Sequence, residues 1–357
     1  MRIGASTRPP NPVLLALVLA GGAAVAMTGF LSHAPNRLVS GVPLPLWRAA
    51  GAPHTAVIGA LGLFLLAVAF LPRGRSVAGA AIVAAGLLLL LLLDAAGSAA
   101  AALAATSPPA ARAGLGPAFW VAGLCAALAM LDGLQRLSAG PGLRLGTVAA
   151  MAALIAAMVV QGRLDALSIA REYAIRHDAF LAEFARHCEL VLAALAAALA
   201  IGMPLGAFAA RHGATAAPVF ATLNAIQTVP SIALFGLLLV PLAALGLGGV
   251  GPVPAVIALT LYSLLPVARN TQAAILGVDP AVREAASGMG MTPRQIFWRV
   301  ELPLGLPVLL AGVRIVTVQA IGLATVAALI GAGGLGTFVF QGIGQYAVDL
   351  VLLGALP

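Results

Sequence analysis

The segment Asp279–Pro303, which reads DPAVREAASGMGMTPRQIFWRVELP, is a polar stretch inside an otherwise apolar sequence. Asp279 is followed by a proline, and an acidic N-cap with proline at the first helical position is a typical helix start. Gly290 lies where a glycine in the left-handed conformation commonly closes a helix. These residues predict a short helix that begins after Asp279 and ends before Gly290.

A second helix start follows directly. Thr292 precedes Pro293, and Gln295 lies three residues after Thr292, which is the spacing of a capping box. We expect Pro303 to end this helix, because proline removes a backbone donor and restricts the residue before it. The segment therefore predicts two short helices joined at a glycine.

The composition indicates a membrane protein. Hydrophobic residues make up 62% of the 357 residues, charged residues only 8%, and the mean hydropathy is +1.07. A soluble domain needs far more charge on its surface. The net charge of +8 comes from 19 basic residues, all of them arginine, and their position between apolar stretches suits lipid headgroups rather than nucleic acid. We expect an all-α, polytopic bundle of transmembrane helices with no nucleic-acid partner.

Apolar stretches that approach the length of a membrane span, about 20 residues, recur along the sequence. We predict about ten spans, the last of them cut short because the chain is still apolar at Pro357. They lie near Val13–Phe30, Ala56–Leu71, Val77–Gly97, Phe119–Leu134, Leu145–Val160, Leu190–Ala210, Ala216–Leu247, Pro252–Ala268 and Leu304–Ile330, with the tenth from Tyr346.

A polar interval at 163–187 separates the first five spans from the rest. Its apolar residues recur at three-, four- and seven-residue steps, which predicts an amphipathic helix outside the membrane. His177 and His187 each follow an arginine, and we interpret them as solvated interface residues rather than metal ligands or pH sensors. The predicted division is a transmembrane extension at 1–162, the amphipathic segment at 163–187 and a second helical domain at 188–357.

The arginines predict the orientation. If Asp279–Pro303 is cytoplasmic, alternation of the spans places most arginines of the short loops on the same side, as the positive-inside rule requires. Arg314 falls within the helix that follows Asp279–Pro303. The inner set is Arg2, Arg8, Arg73, Arg75, Arg136, Arg144, Arg211, Arg269, Arg283, Arg294 and Arg299, and the outer set is Arg37, Arg48, Arg112, Arg163, Arg171, Arg176 and Arg186.

Two breaks are predicted in the second helical domain. Pro230 interrupts the long apolar stretch Ala216–Leu247, so we expect a kink or break there. Polar neighbours of this proline, namely Asn224, Gln227, Thr228 and Ser231, either satisfy the freed backbone groups or line a pathway. A second break is expected at the glycine-rich string 330–336, where Gly333 and Gly334 suit close packing or a gate hinge. No Lys-Ser/Thr follows that string, so it does not indicate a phosphate loop.

The polar segment resembles the EAA loop of ABC importer permeases, which docks on the ATPase subunit. The resemblance rests on Glu284, Ala285 and Ala286, on Gly290 after three intervening residues, and on the string VELP at 300–303. It implies a docking surface that includes Arg283, Glu284, Ala285, Ala286, Gly290, Arg294, Val300, Leu302 and Pro303. A solvated amphipathic loop helix is the alternative interpretation of the same residues.

From about Glu189 onward, the strings IQTVPSIALFG and IGAGGLG together with the EAA loop resemble osmoprotectant importer permeases, which take up glycine betaine, choline, carnitine and related compounds. The resemblance implies a methionine-importer-like fold of five core helices in a bacterial inner membrane. It also implies three kinds of protein partner: a second permease copy or paralogue, a separate ABC ATPase, and a periplasmic or lipid-anchored substrate-binding protein.

Other functions stay open. An importer for an amino acid such as methionine is one alternative, and an ion-gradient secondary transporter is another. No constellation of catalytic residues and no metal-spaced cluster occurs in the sequence, so we expect neither enzyme activity nor a cofactor.

Overall fold

The structure is a computed structural model that describes residues 11–36, 39–72 and 74–357. The predicted positions of Arg2, Arg8, Arg37 and Arg73 lie outside the described residues. The helices are α1 Pro12–Met27, α2 Leu46–Ala49, α3 Gly51–Phe70, α4 Arg75–Thr106, α5 Pro117–Arg136, α6 Pro141–Val160, α7 Ser168–Ile175, α8 His177–His212, α9 Ala217–Thr228, α10 Ser231–Ala244, α11 Pro252–Leu276, α12 Pro280–Gly288, α13 Pro293–Ile296, α14 Leu302–Val326, α15 Gly336–Gly344 and α16 Val348–Ala355.

Three short strands accompany these helices: β1 Leu31–Ala34, β2 Val42–Leu44 and β3 Arg112–Leu115. They form one antiparallel sheet in the order β2-β1-β3, with Leu31 opposite Leu44 on one side and Leu115 on the other. The predicted all-α class holds for the transmembrane part, and the sheet is an addition that sequence analysis missed. Strands of three and four residues are too short to show a clear alternation of apolar and polar side chains.

The chain divides into two compact units. The N-terminal unit contains the described residues up to Ile175 together with Gln345–Asp349, and the C-terminal unit contains Arg176–Gly344 and Leu350–Pro357. This boundary falls inside the polar interval, whereas the predicted division set a separate segment at 163–187. That three-part division stays a prediction.

The N-terminal unit is built on α1, α3, α4 and α5, which pack around apolar clusters that include Leu14, Leu65 and Leu92. Helix α4 has 32 residues, longer than the predicted span Val77–Gly97. Because the helix continues to Thr106, Asp94 lies well inside it rather than near its end. The Asp94 carboxylate contacts His54 Nε2 at 3.2 Å and Arg163 Nη1 at 2.7 Å. A buried or half-buried carboxylate needs such partners when no water is near.

The prediction of one amphipathic helix at 163–187 is wrong. A turn at 161–167 leads into the short helix α7, and from His177 the chain is part of α8, which continues through the apolar stretch to His212. No glycine or proline occurs between His177 and Ile201, so nothing in this sequence stops the helix. His187 is only 5% exposed, which corrects the interpretation of this residue as solvated, whereas His177 is exposed.

The C-terminal unit is organised around α11, which packs against α8 and α14. Glycines permit the close approach of α8. A Cβ atom at Gly202 would lie 2.7 Å from Val267 Cγ1, and one at Gly206 would lie 2.4 Å from the Ala268 carbonyl oxygen. On the other side, a Cβ atom at Gly305 of α14 would lie 2.8 Å from the Ala274 carbonyl oxygen. Small residues at such contacts let helix backbones approach closely within a membrane.

The predicted break at Pro230 is confirmed. Helices α9 and α10 are separated by Val229 and Pro230 and are bent by 105° relative to each other. Proline cannot donate the hydrogen bond that a continuous helix requires at this position, and it favours an extended conformation for the residue before it. Val229 adopts that conformation, with φ −70° and ψ 126°.

The side chains of Gln227 and Tyr262 donate hydrogen bonds to backbone carbonyls near two prolines. Pro266 in α11 cannot donate to the Tyr262 carbonyl one turn earlier, and Gln227 Nε2 of α9 donates to that oxygen at 2.7 Å. In return, the Tyr262 hydroxyl donates to the carbonyl of Val229 at the break. This exchange, which we call the proline lock, fastens the broken span to α11. It supports the backbone-repair interpretation of Gln227.

The predicted count of ten spans is not confirmed. Seven described helices are long and apolar enough to cross a membrane, and the bent pair α9 and α10 raises the number to eight. Helix α1 is apolar but has only 16 residues, and α16 has eight. The spans were predicted from apolar runs alone, and such runs do not show where a helix starts and ends.

The orientation predicted from arginine placement can be tested by labelling. We expect a cysteine at Ala174, exposed in α7, to react with an impermeant thiol reagent in intact cells, and a cysteine at Ser287, exposed in α12, to react only after permeabilisation. Cys125 and Cys188 are first replaced by alanine. Labelling of Ser287→Cys from outside would invert the predicted topology.

The proline lock predicts a stability difference. Tyr262→Phe keeps the ring but leaves the Val229 carbonyl without its donor, which we expect to cost about 1–3 kcal/mol. Thermal unfolding in detergent should therefore occur at a lower temperature. Tyr346→Phe is the matched control, because Tyr346 is 89% exposed and the same change there removes no buried partner. Equal unfolding temperatures for the two variants would contradict the lock.

Candidate functional site

The first helix of the polar segment has the predicted ends. Asp279 Oδ1 accepts a hydrogen bond from the Ala281 N–H at 2.9 Å, and α12 ends at Gly288. Gly290 then takes a left-handed conformation with φ +77°. A residue with a side chain costs about 1 kcal/mol or more in that conformation, which explains why glycine occupies the position.

The second helix begins as predicted and continues further than predicted. Thr292 and Gln295 form both hydrogen bonds of a capping box. The expectation that Pro303 ends this helix is wrong, because α13 passes through a π-helical turn at Phe297–Glu301 directly into α14. Pro303 lies in the first turn of α14, where proline is tolerated, and π turns accommodate an irregular hydrogen-bond pattern within a continuous helix.

The exposed surface of the segment combines polar and apolar groups. Among the residues of the predicted docking surface, Glu284, Ala285, Gly290, Arg294 and Pro303 are exposed, Arg283, Val300 and Leu302 are half-buried, and Ala286 is only 2% exposed. The Ala286 methyl group therefore packs inside the segment, where α12 contacts α13 and the π turn. The exposed surface of the segment is formed by the residues around Ala286, not by Ala286 itself.

Two apolar side chains on this surface were missed by sequence analysis. Met289 is 75% exposed and Trp298 is 58% exposed. Methionine, tryptophan and arginine are enriched at protein interfaces, and tryptophan often contributes much of the binding energy. The tryptophan between Phe297 and Arg299 was the signal that the sequence offered for this binding surface. Its exposure could not be predicted, because it depends on the π turn.

The π turn is attached to the end of α8. Glu301 is buried, and its Oε2 atom lies 3.2 Å from Nη2 of Arg211. The Arg211 guanidinium also lies over the Phe297 ring, 5.0 Å from its centroid, within the range of cation–π attraction. The sequence does not indicate this contact, because 90 residues separate Arg211 from Glu301.

The predicted pathway residues lie around the broken span. Asn224, Thr228 and Pro230 are exposed, and Gln227 and Ser231 are half-buried. The Thr228 hydroxyl donates to the Ala225 carbonyl at 2.7 Å, so this side chain also satisfies the backbone. Val229 and Leu234 at the break pack in the same apolar cluster as Ala332 of the glycine-rich string.

The glycine-rich string forms the predicted break. A 3-10 turn at Ala327–Ile330 ends α14, and Gly331, Gly333 and Gly334 all have left-handed φ angles between +73° and +88°. The Gly334 N–H donates to Glu183 Oε2 at 2.5 Å. A Cβ atom at Gly334 would lie 3.2 Å from His187 Nδ1, so the His187 side chain packs closely against this glycine. The break is confirmed, and the gate role stays a proposal.

Two known families match the chain. Residues 9–170 match the family described as ABC transporter permease YehY, N-terminal domain. Residues 202–357 match the family described as binding-protein-dependent transport system inner membrane component. The two matched ranges leave residues 1–8 and 171–201 of the chain unmatched.

Curated permeases are similar over the second half of the chain. The osmoprotectant import permease protein OsmW of Salmonella typhimurium is 43% identical over 185 residues, which cover 52% of this chain and 86% of that protein. The carnitine transport permease protein OpuCB of Listeria monocytogenes is 41% identical over 172 residues, covering 48% of this chain and 76% of that protein. The choline transport system permease protein OpuBB of Bacillus subtilis is 40% identical over 171 residues, covering 48% of this chain and 76% of that protein.

A solved inward-facing structure of the MetNI methionine ABC transporter is similar at 25% identity. The similarity covers 50% of this chain and 88% of that chain, with a TM-score of 0.45. The high coverage and identity of the curated permeases are decisive. The chain belongs to the family of binding-protein-dependent transport system inner membrane components and is a multi-pass inner-membrane permease subunit of an ABC importer.

Proposed function

We propose that this permease imports osmoprotectants such as glycine betaine, choline or carnitine. The support is the identity of 40–43% to permeases named for osmoprotectants, carnitine and choline. ATP hydrolysis belongs to a separate ATPase subunit, and a periplasmic or lipid-anchored binding protein delivers the substrate. A second permease copy or paralogue completes the pathway.

We further propose that Asp279–Pro303 is the surface that docks on the ATPase. The observation that carries this proposal is the exposed surface that the capped helices present, on which Ala285, Met289, Arg294 and Arg299 are all exposed. The small Ala285 side chain lets the helix enter a cleft, and the arginines are available for acidic groups on the partner. Gly290 allows the turn between the helices.

The pathway is proposed to run along the broken span. Asn224, Gln227, Thr228, Pro230 and Ser231 lie at its bend, and Gly333 and Gly334 form the gate at the glycine-rich string. Discontinuous helices commonly line transport pathways, because only a cavity or neighbouring protein groups satisfy an interrupted backbone. The N-terminal extension at 1–162 has no pathway role in this proposal.

Two other functions are less well supported. Import of an amino acid such as methionine uses the same architecture and differs only in the substrate. An ion-gradient transporter requires broken helices at corresponding positions of two halves. Among the described residues, the only bent pair of this kind is α9 and α10, and the helices of the N-terminal unit show no matching break.

The docking proposal predicts the effect of a side chain at Gly290. Gly290→Val introduces backbone strain of at least about 1 kcal/mol and a branched side chain on the docking surface. We expect normal membrane abundance, loss of ATPase co-purification and no substrate uptake. The measurements are immunoblotting, affinity purification of the complex and radiolabelled uptake.

Gly246→Val is the matched control for this variant. Gly246 has φ +72°, close to the +77° of Gly290, and at both positions a Cβ atom would meet no other atom within 4 Å. Both variants thus carry the same strain, but Gly246 lies after α10, outside Asp279–Pro303, which we call the coupling segment. If Gly290→Val transports like wild type, or if Gly246→Val loses the ATPase equally, the docking assignment fails.

The aromatic residues bear on substrate selection. Quaternary ammonium groups are held chiefly by aromatic faces, each contributing about 0.5–2 kcal/mol. Within the C-terminal unit, the Trp and Tyr residues are Trp298, which lies in the coupling segment, and Tyr262, whose hydroxyl belongs to the proline lock. They do not form a cage, so high-affinity selection belongs to the binding protein.

This division of roles predicts a calorimetric result. We expect the binding protein alone to bind glycine betaine tightly, and the purified permease–ATPase complex without it to show no tight binding. Micromolar binding of betaine to that complex would overturn the division. A binding protein that prefers an amino acid would instead favour the alternative substrate class.

A further inference from the structure

Helix α8 contacts the coupling segment although no short stretch of chain connects the two. Helices α11 and α14 flank the segment directly in the sequence, so they follow its movements through the backbone. Helix α8 ends 67 residues before Asp279, at His212. In the described residues, Arg211 of α8 contacts the segment through an ion pair with Glu301 and a cation–π contact with Phe297.

The Arg211 contact has the features of a stable attachment. Glu301 is only 7% exposed, and a buried carboxylate without a positive partner is strongly unfavourable. The Phe297 ring holds the same guanidinium from another direction, at 5.0 Å. Both partners of Arg211 belong to the π turn, so a displacement of that turn acts directly on the end of α8.

The other end of α8 contacts the glycine-rich string. Glu183 Oε2 accepts the Gly334 N–H at 2.5 Å, and His187, one turn further along the same helix, packs directly against Gly334. Glu183 and Arg211 are 28 positions apart, which corresponds to about 42 Å along a helix at 1.5 Å per residue. One helix thus connects the coupling segment with the proposed gate.

Between these ends, α8 is clamped to α11. Gly202 and Gly206 place its backbone against Val267 and Ala268 so closely that no side chain would fit. Pro204 lies between the two glycines, and the packing supports the helix at the point where proline weakens it. Displacement of one end is therefore passed along a supported helix.

We propose that α8 transmits the state of the coupling segment to the glycine-rich string, with Arg211 and Glu183 as positioning residues at its two ends. The proposal rests on the proposed docking role of Asp279–Pro303. When the ATPase moves the π turn, the contact of Arg211 with the buried Glu301 makes α8 follow, and the hydrogen bond from the Gly334 N–H to Glu183 changes. Packed helices and ion pairs with two discrete arrangements carry such coupling over 20–40 Å.

The first experiment uses the complete complex of permease, ATPase and binding protein in proteoliposomes. Arg211→Gln removes the positive partner of the buried Glu301, and we expect it to lower the substrate transported per ATP hydrolysed by about tenfold, within the usual range of coupling between sites. Arg211→Lys keeps a positive charge and should restore part of the ratio. The exchange Arg211→Glu with Glu301→Arg should restore more than either single change.

The second experiment asks whether the two ends act in series. Glu183→Ala removes the acceptor of the Gly334 N–H, whereas Glu183→Gln retains an oxygen acceptor and should transport nearly as wild type. If α8 connects both contacts, the double variant Glu183→Ala, Arg211→Gln should be no worse than the more impaired single variant. If the two contacts acted independently, the fractional losses in transport per ATP of the two single variants would multiply in the double variant.

A matched control comes from the N-terminal unit. Arg136 pairs with Asp132 at 2.7 Å near the end of α5, so Arg136→Gln breaks an arginine–carboxylate pair within the N-terminal unit. We expect its transport per ATP to equal that of wild type. Membrane abundance is measured for every variant, and the charge exchange tests the idea even if Arg211→Gln does not accumulate.

The outcomes separate this proposal from the docking proposal. If Gly290→Val releases the ATPase but Arg211→Gln transports with the wild-type ratio, docking stands and transmission through α8 is wrong. Multiplicative losses in the double variant would also overturn transmission. If Gly290→Val keeps both the ATPase and full uptake, the docking assignment itself fails.

Discussion

The absence of water in the bilayer interior is the constraint on which the C-terminal unit depends. A backbone group that loses its helical partner there must find another partner in the protein. Pro230 breaks the span between α9 and α10, Pro266 removes a backbone donor within the continuous helix α11, and Gln227 and Tyr262 provide the replacement bonds. The same exchange attaches the broken span to α11, so satisfying the backbone also fixes the position of the proposed pathway.

Close helix packing follows from the same environment. Lipid tails are as apolar as leucine side chains, so helices associate through contact area and small residues rather than through exclusion of apolar surface from water. Gly202 and Gly206 bring α8 to the backbone of α11, and Gly305 does the same for α14. These contacts hold three helices together beside the coupling segment. The ion pair between Arg211 and Glu301 then joins α8 to the π turn.

The coupling segment differs from the rest because its structure is encoded locally. Caps formed by Asp279 and Thr292 lie within three residues of their partners, so their hydrogen bonds do not depend on the surrounding fold. The burial of Ala286 and the exposure of Trp298 depend on how α12 packs against α13 and the π turn. The candidate docking surface was therefore predictable as a segment, but its accessible face was not.

The sequence by itself determined the membrane class, the two capped helices with Gly290 between them, and the breaks at Pro230 and at the glycine-rich string. Each of these follows from composition or from the conformational preferences of residues close together in the chain. Only the tertiary structure decided the continuity of α8 beyond the polar interval, the passage of α13 into α14, the burial of His187 and the small sheet. It also decided the pairing of Arg211 with Glu301 and of Gln227 with Tyr262, because such partners are far apart in the sequence and meet only when the helices pack.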